Sequence, residues 1–417
     1  MKQAILPHLY IQRNLRFFLF LLWALTLVSC ETTCEECEKC EECEEGEEQQ
    51  GGNPTRLTFY VVSQSTQSGQ SQSEAADLEE RKIRTIYIYA FDDHHTFPDF
   101  FEDPFVNHGY GVDGVYRVNM DIHGTGQKRF YLIANPPKYI QTQLTHRISE
   151  GTLRSMIFCM QQPIQQLSQI PQNADGTLNT SKENTGFPLS NQLTGYIHRY
   201  SNREGLYLTH EDNPGSTAIT TLPLFRALGK ISVYAYRETA APQPTVGGTP
   251  APQENVTITN LEIFNYTCDG YFIPRRTPGG LLDLEAMSKK EVKVGIQPVP
   301  LLKEPITVTS NYTSRNQLRL TYFYVCQNSY GKAIEGEINP GVPDTEGNRT
   351  TKMVINLSDG RRSEISLPYL RRNDHLHIRI GISLNVIKIE FEEWNLNTVT
   401  PDWDDGLDPN KHPQTNQ

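Results

Sequence analysis

The chain has 417 residues and a formal net charge of −11 at neutral pH, a length that allows one to three domains. Residues 31–48 contain ten Glu and one Lys, so most of the negative charge lies in one short block. No basic face stands out, and nucleic acid is therefore excluded as an expected partner. Frequent Tyr, Thr, Asn and Pro, with 37% hydrophobic residues, favour an all-β protein.

The first thirty residues predict an export signal followed by a lipid anchor. Basic residues precede an apolar run over 17–29, which is shorter than the roughly 20 apolar residues that span a bilayer, so residues 1–29 are typical of a signal peptide. The last four residues, Leu27-Val28-Ser29-Cys30, resemble a bacterial lipobox. We therefore expect acylation of Cys30, palmitate included, and outer-membrane anchoring by more than one acyl chain. An ordinary signal peptide with a coincidental cysteine is the alternative.

Residues 30–54 form an acidic segment in which four cysteines repeat every three residues: Cys34, Cys37, Cys40 and Cys43. Such spacing could hold a metal or an iron–sulfur cluster through thiolates. The surrounding Glu side chains would repel those thiolates, and a block of one charge sign predicts an extended spacer. We therefore favour a solvated tether, with a metal site at these cysteines as the alternative, and predict no cofactor.

Beyond the tether, many strand candidates and few helical ones predict two Greek-key β-sandwich domains in tandem. The first domain is expected over 55–221, with one short helix within 145–162, where apolar residues fall near helical spacing. The second is expected over 222–395, followed by a polar tail over 396–417. The strand candidates are 57–62, 84–91, 128–135, 222–237, 256–266, 293–302, 317–327, 351–358, 364–370 and 375–395. A phase shift in the last candidate predicts a turn or a bulge near 381–385.

No enzyme motif occurs, and no enzymatic activity is expected. The Asp-Asp-His-His sequence at 92–95 could in principle bind a metal, but a polar turn after the preceding strand is favoured. Glu390 and Glu392, with Glu393 next to them, are typical of the solvated face of an edge strand. The isolated cysteines lie in apolar surroundings and are expected to be buried: Cys159, Cys268 and Cys326.

The order of several short motifs resembles the fimbrillin family, the type V fimbria (pilus) subunits and pilin-like lipoproteins of Bacteroidetes. The matching residues are Phe91-Asp92, Ala134-Asn135, Arg226, Ala227, Lys230, Ile231, Arg372-Asn373 and Trp394. The resemblance covers nearly all of the chain after Cys30. It implies two transthyretin-like β-sandwiches and a role in surface fimbriae.

The resemblance also implies that subunits join by strand exchange, in which one chain completes the sheet of another. The candidate exchanged strand carries Leu57, Phe59 and Val61 at alternate positions.

The tail after Trp394 contains several prolines and an acidic cluster, which makes it a poor strand. These features favour a terminal subunit of the fibre, with anchor and tip both open.

Arginine-specific cleavage after the first strand is a further implication of the family. No Arg or Lys occurs between Leu57 and Glu80, and the first candidates for cleavage are Arg81 and Arg84. Arg56 precedes the strand, so a cut there would leave the groove filled. This departure argues against ordinary processing of a stalk subunit and is compatible with an uncleaved anchoring subunit.

We therefore expect a lipid-anchored fimbrial subunit at the cell surface that acts in fimbria assembly and adhesion. Its expected partners are other fimbrial subunits, the outer membrane through the lipid, and host or bacterial surface receptors. One alternative is a surface glycan- or protein-binding lipoprotein that does not polymerise. Another is a metal-binding surface protein that uses the four tether cysteines.

Overall fold

A computed structural model describes residues 54–63, 78–103, 115–178, 186–238, 255–277, 281–291, 294–331 and 341–393. The predicted signal peptide, Cys30, the four tether cysteines, Trp394 and the tail lie outside these ranges, as does the linker over 64–77. No helix within the described ranges is long and apolar enough to cross a membrane.

The described residues are mostly strands, which confirms the all-β prediction. In chain order the strands are β1 (Thr55–Ser63), β2 (Ile86–Phe91), β3 (Asp99–Asp103), β4 (Val115–Ile122), β5 (Gly126–Ala134), β6 (Ile157–Cys159), β7 (Leu189–Arg199), β8 (Leu206–Thr209), β9 (Thr221–Arg226), β10 (Leu228–Arg237), β11 (Val256–Phe264), β12 (Tyr266–Thr267), β13 (Asp269–Tyr271), β14 (Val294–Gly295), β15 (Val299–Pro300), β16 (Ile306–Val308), β17 (Leu318–Cys326), β18 (Lys352–Leu357), β19 (Arg362–Ser366), β20 (His375–Ile382) and β21 (Ile387–Glu393). The short α-helices are α1 (Leu78–Arg81), α2 (Lys138–Gln141), α3 (Glu150–Arg154) and α4 (Leu284–Ser288), and one 3-10 turn covers Leu167–Gln169.

Three larger sheets organise these strands. The first has eight strands in the order β3-β2-β5-β7-β8-β1-β4, and β9 pairs with both β1 and β7. The second has the order β17-β10-β20-β21, and the third has the order β15-β11-β18-β19 with β16 also paired to β11. Two small ribbons, β12–β14 and β6–β13, complete the pairing among the described strands.

The cores follow from alternating apolar residues on these strands. One cluster of buried apolar residues is formed by side chains of the first sheet, from strands β1, β2, β4, β5 and β7–β9. A second lies between the second and third sheets, which pack against each other as a sandwich. A third cluster joins residues from both halves of the chain, including Tyr131, Phe158, Phe272 and Tyr324. Apolar burial at about 25 cal/mol per Å² makes these clusters the main stabilising contribution.

The prediction of one short helix in the first domain is wrong in number and extent. The segment 145–162 contains α3, which Ser149 caps by accepting a hydrogen bond from the Thr152 N–H at 3.1 Å. Residues 157–159 instead form β6, which pairs with β13. Helix α1 and helix α2 also precede this segment. Helical spacing is a local signal, and it did not reveal a strand partner more than a hundred residues away.

The strand expected over 222–237 divides between two sheets. Residues 221–226 form β9, whose Leu222 and Leu224 are buried in the core of the first sheet. The chain enters the second sheet at Leu228, after Ala227. Residues 222–226 therefore belong to the sheet of the first half rather than opening the second. The division into two domains is not tested by these pairings and stays a prediction.

The predicted turn near 381–385 is present as the β20–β21 hairpin, where the Ser383 N–H donates to the Val386 carbonyl at 3.0 Å. Strand β21 is at an edge of the second sheet. Glu390 and Glu392 lie on it within 4 Å of the Arg379 guanidinium, at 3.7 and 3.8 Å. This is the solvated charged edge expected from the sequence.

Candidate functional site

Strand β1 lies in the interior of the first sheet. It pairs antiparallel with β4 along its length, from Thr55 opposite Ile122 to Val62 opposite Val115. On its other side it pairs parallel with β8 at Leu57 and with β9 from Tyr60 to Ser63. Withdrawing β1 would therefore leave two facing rows of unpaired backbone groups, which is the geometry that accepts an added strand.

The side chains of β1 alternate strictly between the core and the surface. Leu57, Phe59 and Val61 are at most 1% exposed. The Phe59 ring packs edge-to-face on Phe130, with ring centroids 6.5 Å apart. A strand with apolar residues of similar size in the same phase could satisfy these contacts, because the backbone ladder does not involve the side chains and the hydrophobic effect depends on the apolar area buried.

The outward face of β1 makes only exposed polar contacts. The Arg56 Nε atom lies 3.3 Å from the Asp121 carboxylate, and both side chains are more than half exposed. The Thr58 hydroxyl donates to the Asn119 side-chain oxygen at 3.0 Å. Contacts of this kind contribute little to stability.

Residues 82–85, which follow the linker, are hydrogen-bonded to the side chain of one buried asparagine, Asn135. The Asn135 side chain accepts from the backbone N–H of Arg84 at 2.7 Å and donates to the Lys82 and Phe187 carbonyls at 2.7 and 2.9 Å. Asn135 has a φ of 49°, a left-handed conformation that Asn tolerates better than most residues. It is fully buried. The Ala-Asn motif quoted from the sequence thus fixes the chain just before β2.

Glu80 precedes this segment and lies in a buried ionic cluster, which we call the Glu80 cluster (Glu80, Arg226, Lys230 and Tyr324). The Glu80 carboxylate accepts hydrogen bonds from Arg226 Nη1, from Lys230 Nζ at 2.7 Å, and from the Tyr324 hydroxyl. Glu80 is 1% exposed. Arg226 ends β9 of the first sheet, whereas Lys230 and Tyr324 lie on β10 and β17 of the second. The Glu80 carboxylate therefore connects the segment that contains α1 with the first sheet, through Arg226, and with the second sheet, through Lys230 and Tyr324.

The charge of Glu80 is compensated by its partners. Burial alone would raise the pKa of the Glu80 carboxyl, but the adjacent Arg226 and Lys230 outweigh this effect and hold the pKa below its ordinary value. Burial of Tyr324, followed by the nearby Glu80 charge, raises the pKa of the phenol and keeps it a hydrogen-bond donor. Removing the carboxylate would leave two buried cations without a counterion.

Further motif residues quoted for the family resemblance meet at the same place. The Asn373 side-chain oxygen accepts from the backbone N–H and the Nε of Arg226, each at 3.3 Å. Arg226 Nη2 donates to the Asn373 carbonyl at 3.1 Å. Arg372 donates to the Ser190 hydroxyl and the Phe272 carbonyl at 3.1 and 2.8 Å. Asn373 therefore joins the buried junction around Glu80 through Arg226, and Arg372 binds the neighbouring Ser190 and Phe272.

Glu80 was not identified as a functional residue from the sequence, where it only marks the end of the stretch that contains no Arg or Lys. The signal that could have pointed to it is the pair Arg226 and Lys230 among apolar residues. Buried cations need a carboxylate partner, and only the fold shows that the partner is 146 residues upstream in the chain.

The candidate cleavage residues occupy different settings. Arg56 lies on β1 itself, at its exposed face. Arg81 is half-buried, ends α1 and directly follows the buried Glu80. Arg84 is half-buried too, with its backbone fixed by Asn135. A protease would have to unfold residues 80–85 to reach the bonds after Arg81 and Arg84.

The remaining predicted residues fall elsewhere. The sequence at 92–95 forms the expected polar turn, in which the Asp92 carboxylate accepts from the backbone N–H groups of His94 and His95 at 2.9 and 2.8 Å. The isolated cysteines are buried, as predicted: Cys159, Cys268 and Cys326. Among the described residues, no group of three or more His, Cys, Asp or Glu side chains converges on one point.

Comparison with solved structures places fimbrial and adhesion proteins among those to which this chain is similar. A candidate cell adhesion protein from Parabacteroides distasonis matches with 13% identity and a TM-score of 0.47, over 82% of this chain and 98% of that chain. The tip fimbrial protein Mfa3 from Porphyromonas gingivalis matches with 13% identity and a TM-score of 0.42, over 81% and 100%. A fimbrilin from Porphyromonas gingivalis matches with 13% identity and a TM-score of 0.39, over 82% and 98%.

The fimbrial and adhesion roles in these names belong to those proteins. No protein-family model and no curated protein matches the sequence.

Proposed function

We propose that this chain is a lipid-anchored terminal subunit of a surface fimbria, an anchor or a tip component, which acts in assembly and adhesion without enzymatic activity. The observation that carries the proposal is the interior position of β1, whose apolar alternation fills the first sheet. The proposed outer-membrane anchor is the lipid on Cys30, which precedes β1 in the chain.

Strand exchange requires an empty place between β4 on one side and β8 with β9 on the other. In this chain β1 already occupies that place. The chain on the N-terminal side of β1 leads toward Cys30, so a cut that freed β1 would also free the lipid. A subunit that keeps β1 keeps its lipid and accepts no further strand there, which is the property that the end of a fibre needs.

The setting of the candidate cleavage residues supports the uncut form. The bond after Arg81 follows the buried Glu80, and the backbone of Arg84 is hydrogen-bonded to Asn135. A cut at either bond would separate Glu80 from the chain that carries Arg226 and Lys230. The body of the protein would then depend on non-covalent retention of Glu80 to neutralise two buried cations.

The proposal is tested on fibres sheared from cells that express the full chain. Mass spectrometry should find this protein in the fibres, with an acylated Cys30 as its N-terminus. A new N-terminus at Lys82 or Thr85 would contradict the uncleaved form, and absence from every fibre preparation would contradict the fimbrial role. The matched control is the Cys30→Ala variant, which should be lost from the membrane fraction.

A surface glycan- or protein-binding lipoprotein is the second candidate, and one group of side chains favours it. The rings of Tyr200 and Tyr207 pack at the β7–β8 turn with centroids 4.6 Å apart and planes tilted by 32°, and the Arg203 guanidinium lies 3.7 Å from the Tyr200 ring centroid. Aromatic faces of this kind bind sugars and cations. Glycan-array binding that is lost in Tyr200→Ala and kept in Tyr60→Ala, an exposed tyrosine on β1, would select this function.

A further inference from the structure

Two histidines lie side by side where two turns of the first sheet meet. His95 belongs to the turn after β2, and His123 belongs to the turn between β4 and β5. Their ring centroids are 6.2 Å apart. Their side chains are 31% and 47% exposed, so both rings are open to solvent on one side.

Each ring is oriented by its own buried carboxylate. His95 Nδ1 lies 2.8 Å from Asp92 Oδ2, and His123 Nδ1 lies 2.6 Å from Asp99 Oδ1. The Asp92 and Asp99 side chains are only 8% and 4% exposed. The same arrangement at two adjacent rings fixes the direction of both imidazoles.

The two carboxylates are in turn joined by a buried lysine. Lys128 Nζ lies 2.6 Å from Asp92 Oδ2 and 2.9 Å from Asp99 Oδ2, and the Lys128 side chain is 1% exposed. Burial raises the pKa of the Asp92 carboxyl, but the hydrogen bonds from Lys128 and His95 outweigh it and hold the pKa well below its usual range. The formal charges of two carboxylates and one ammonium sum to −1 beneath the two rings, which favours a cation above them.

The chemistry of the carboxylates sets the tautomer of the rings. An ionised carboxylate only accepts hydrogen bonds, so the nitrogen that faces it in each ring, Nδ1, carries a proton. The lone pair is then on Nε2 of both rings. Metal-binding histidines characteristically donate Nδ1–H to a carboxylate in this way, which fixes the ring and increases its basicity.

We propose that His95 and His123 form a two-histidine site for a borderline divalent cation such as Zn²⁺ or Cu²⁺, with Asp92 and Asp99 as the carboxylates that orient the ligands. Imidazole nitrogen is a preferred ligand of these ions. No third His, Cys, Asp or Glu converges with the pair among the described residues. Water or a side chain from a partner therefore completes the coordination, and the site is open.

The direct test is site-resolved protection of the full-length protein. Diethyl pyrocarbonate modifies accessible imidazole nitrogen, and peptide mass spectrometry reads each histidine separately. ZnCl₂ should slow modification of His95 and His123 together, and leave the exposed His210 unchanged. A parallel sample in which Ser replaces Cys34, Cys37, Cys40 and Cys43 excludes zinc binding by the tether as the cause. Modification rates of His95 and His123 that do not change with zinc concentration overturn the proposal.

Variants separate chelation from general charge attraction. His95→Ala should abolish zinc protection of His123, because one imidazole does not form a chelate. Asp99→Asn should weaken zinc binding about 10- to 100-fold, the effect typical of a carboxylate that orients a ligand. Asp93→Asn is the matched control, because Asp93 carries the same charge nearby but pairs with Arg129 at 2.9 Å. An equal loss in Asp93→Asn and Asp99→Asn would overturn the assigned role of Asp99.

Discussion

Strand β1 and residues 80–85 lie on the two sides of the same linker, but different interactions hold them to the rest of the protein. Strand β1 is attached by a backbone ladder and by alternating apolar side chains. Residues 80–85 bury Ile83 in the same apolar cluster, but they also depend on two particular groups, the Glu80 carboxylate and the Asn135 amide. The ladder can be reproduced by another strand with the same alternation, whereas the ionic and amide contacts cannot. Strand β1 is therefore the part of the molecule that is suited to strand exchange.

The largest effect is expected at Glu80. Glu80→Gln keeps the shape of the side chain but leaves Arg226 and Lys230 without a counterion, and removal of one partner of a buried ion pair costs about 3–5 kcal/mol of the free energy of unfolding. Urea denaturation of the two proteins measures the difference. Arg56→Ala, which removes an exposed ion pair from β1, is the control and should cost at most about 1 kcal/mol. Similar losses of unfolding free energy in both variants would contradict the proposed difference between residues 80–85 and β1.

Acid should weaken the attachment of residues 80–85 through the same carboxylate. The folded pKa of Glu80 is below its ordinary value of 4.5, so the unfolded chain binds more protons as the pH falls past that value. The stabilising contribution is present above pH 4.5 and is lost as the pH falls through the folded pKa. Denaturation midpoints measured across this range should fall less steeply in Glu80→Gln than in the wild type. Parallel slopes would contradict this prediction, since the other carboxylates are common to both proteins.

A smaller loss is expected at Asn135. Asn135→Gly permits the positive φ but removes neutral side-chain hydrogen bonds to residues 82–85, and a hydrogen bond of this kind contributes about 0.5–1.5 kcal/mol net. Hydrogen exchange should then accelerate at the amide of Arg84, which donates to Asn135 in the wild type. Unchanged exchange at that amide would show that other contacts fix the segment.

The smallest change is expected within β1. Leu57→Met keeps an apolar side chain of similar volume in the core and should cost less than about 1.5 kcal/mol. The matched variant Leu57→Asp places a charge at the same buried position and should prevent folding or expel β1. A large loss in Leu57→Met would mean that β1 depends on detailed fit rather than on alternation.

The sequence predicts β1 well because its evidence is local: alternating Leu57, Phe59 and Val61 determine both the strand and its buried face. It also predicts the buried cysteines and the polar turn at 92–95. It does not reveal that β9 joins the first sheet or that residues 157–159 pair with β13, because those partners are distant in the chain.

The candidate site was predicted in part. The motif residues Asn135, Arg226 and Lys230 were recognised from a resemblance, without a physical role. Their role depends on Glu80, which no local pattern connects with them. Long-range ionic partners are set by the packing of the two halves, and for that reason they stay hidden until the fold is known.

The most direct test of the central claim is replacement of β1 by a peptide. A specific protease site is placed in the linker over 64–77, the chain is cut, and a fluorescent peptide with the sequence of residues 55–63 is added. We predict that the labelled peptide is incorporated into the cut protein but not into the uncut one, while residues 80–85 stay protected from hydrogen exchange. A peptide of the same composition with its apolar residues moved by one position should not enter. Failure of the in-phase peptide to enter a cut protein that remains folded would contradict the account.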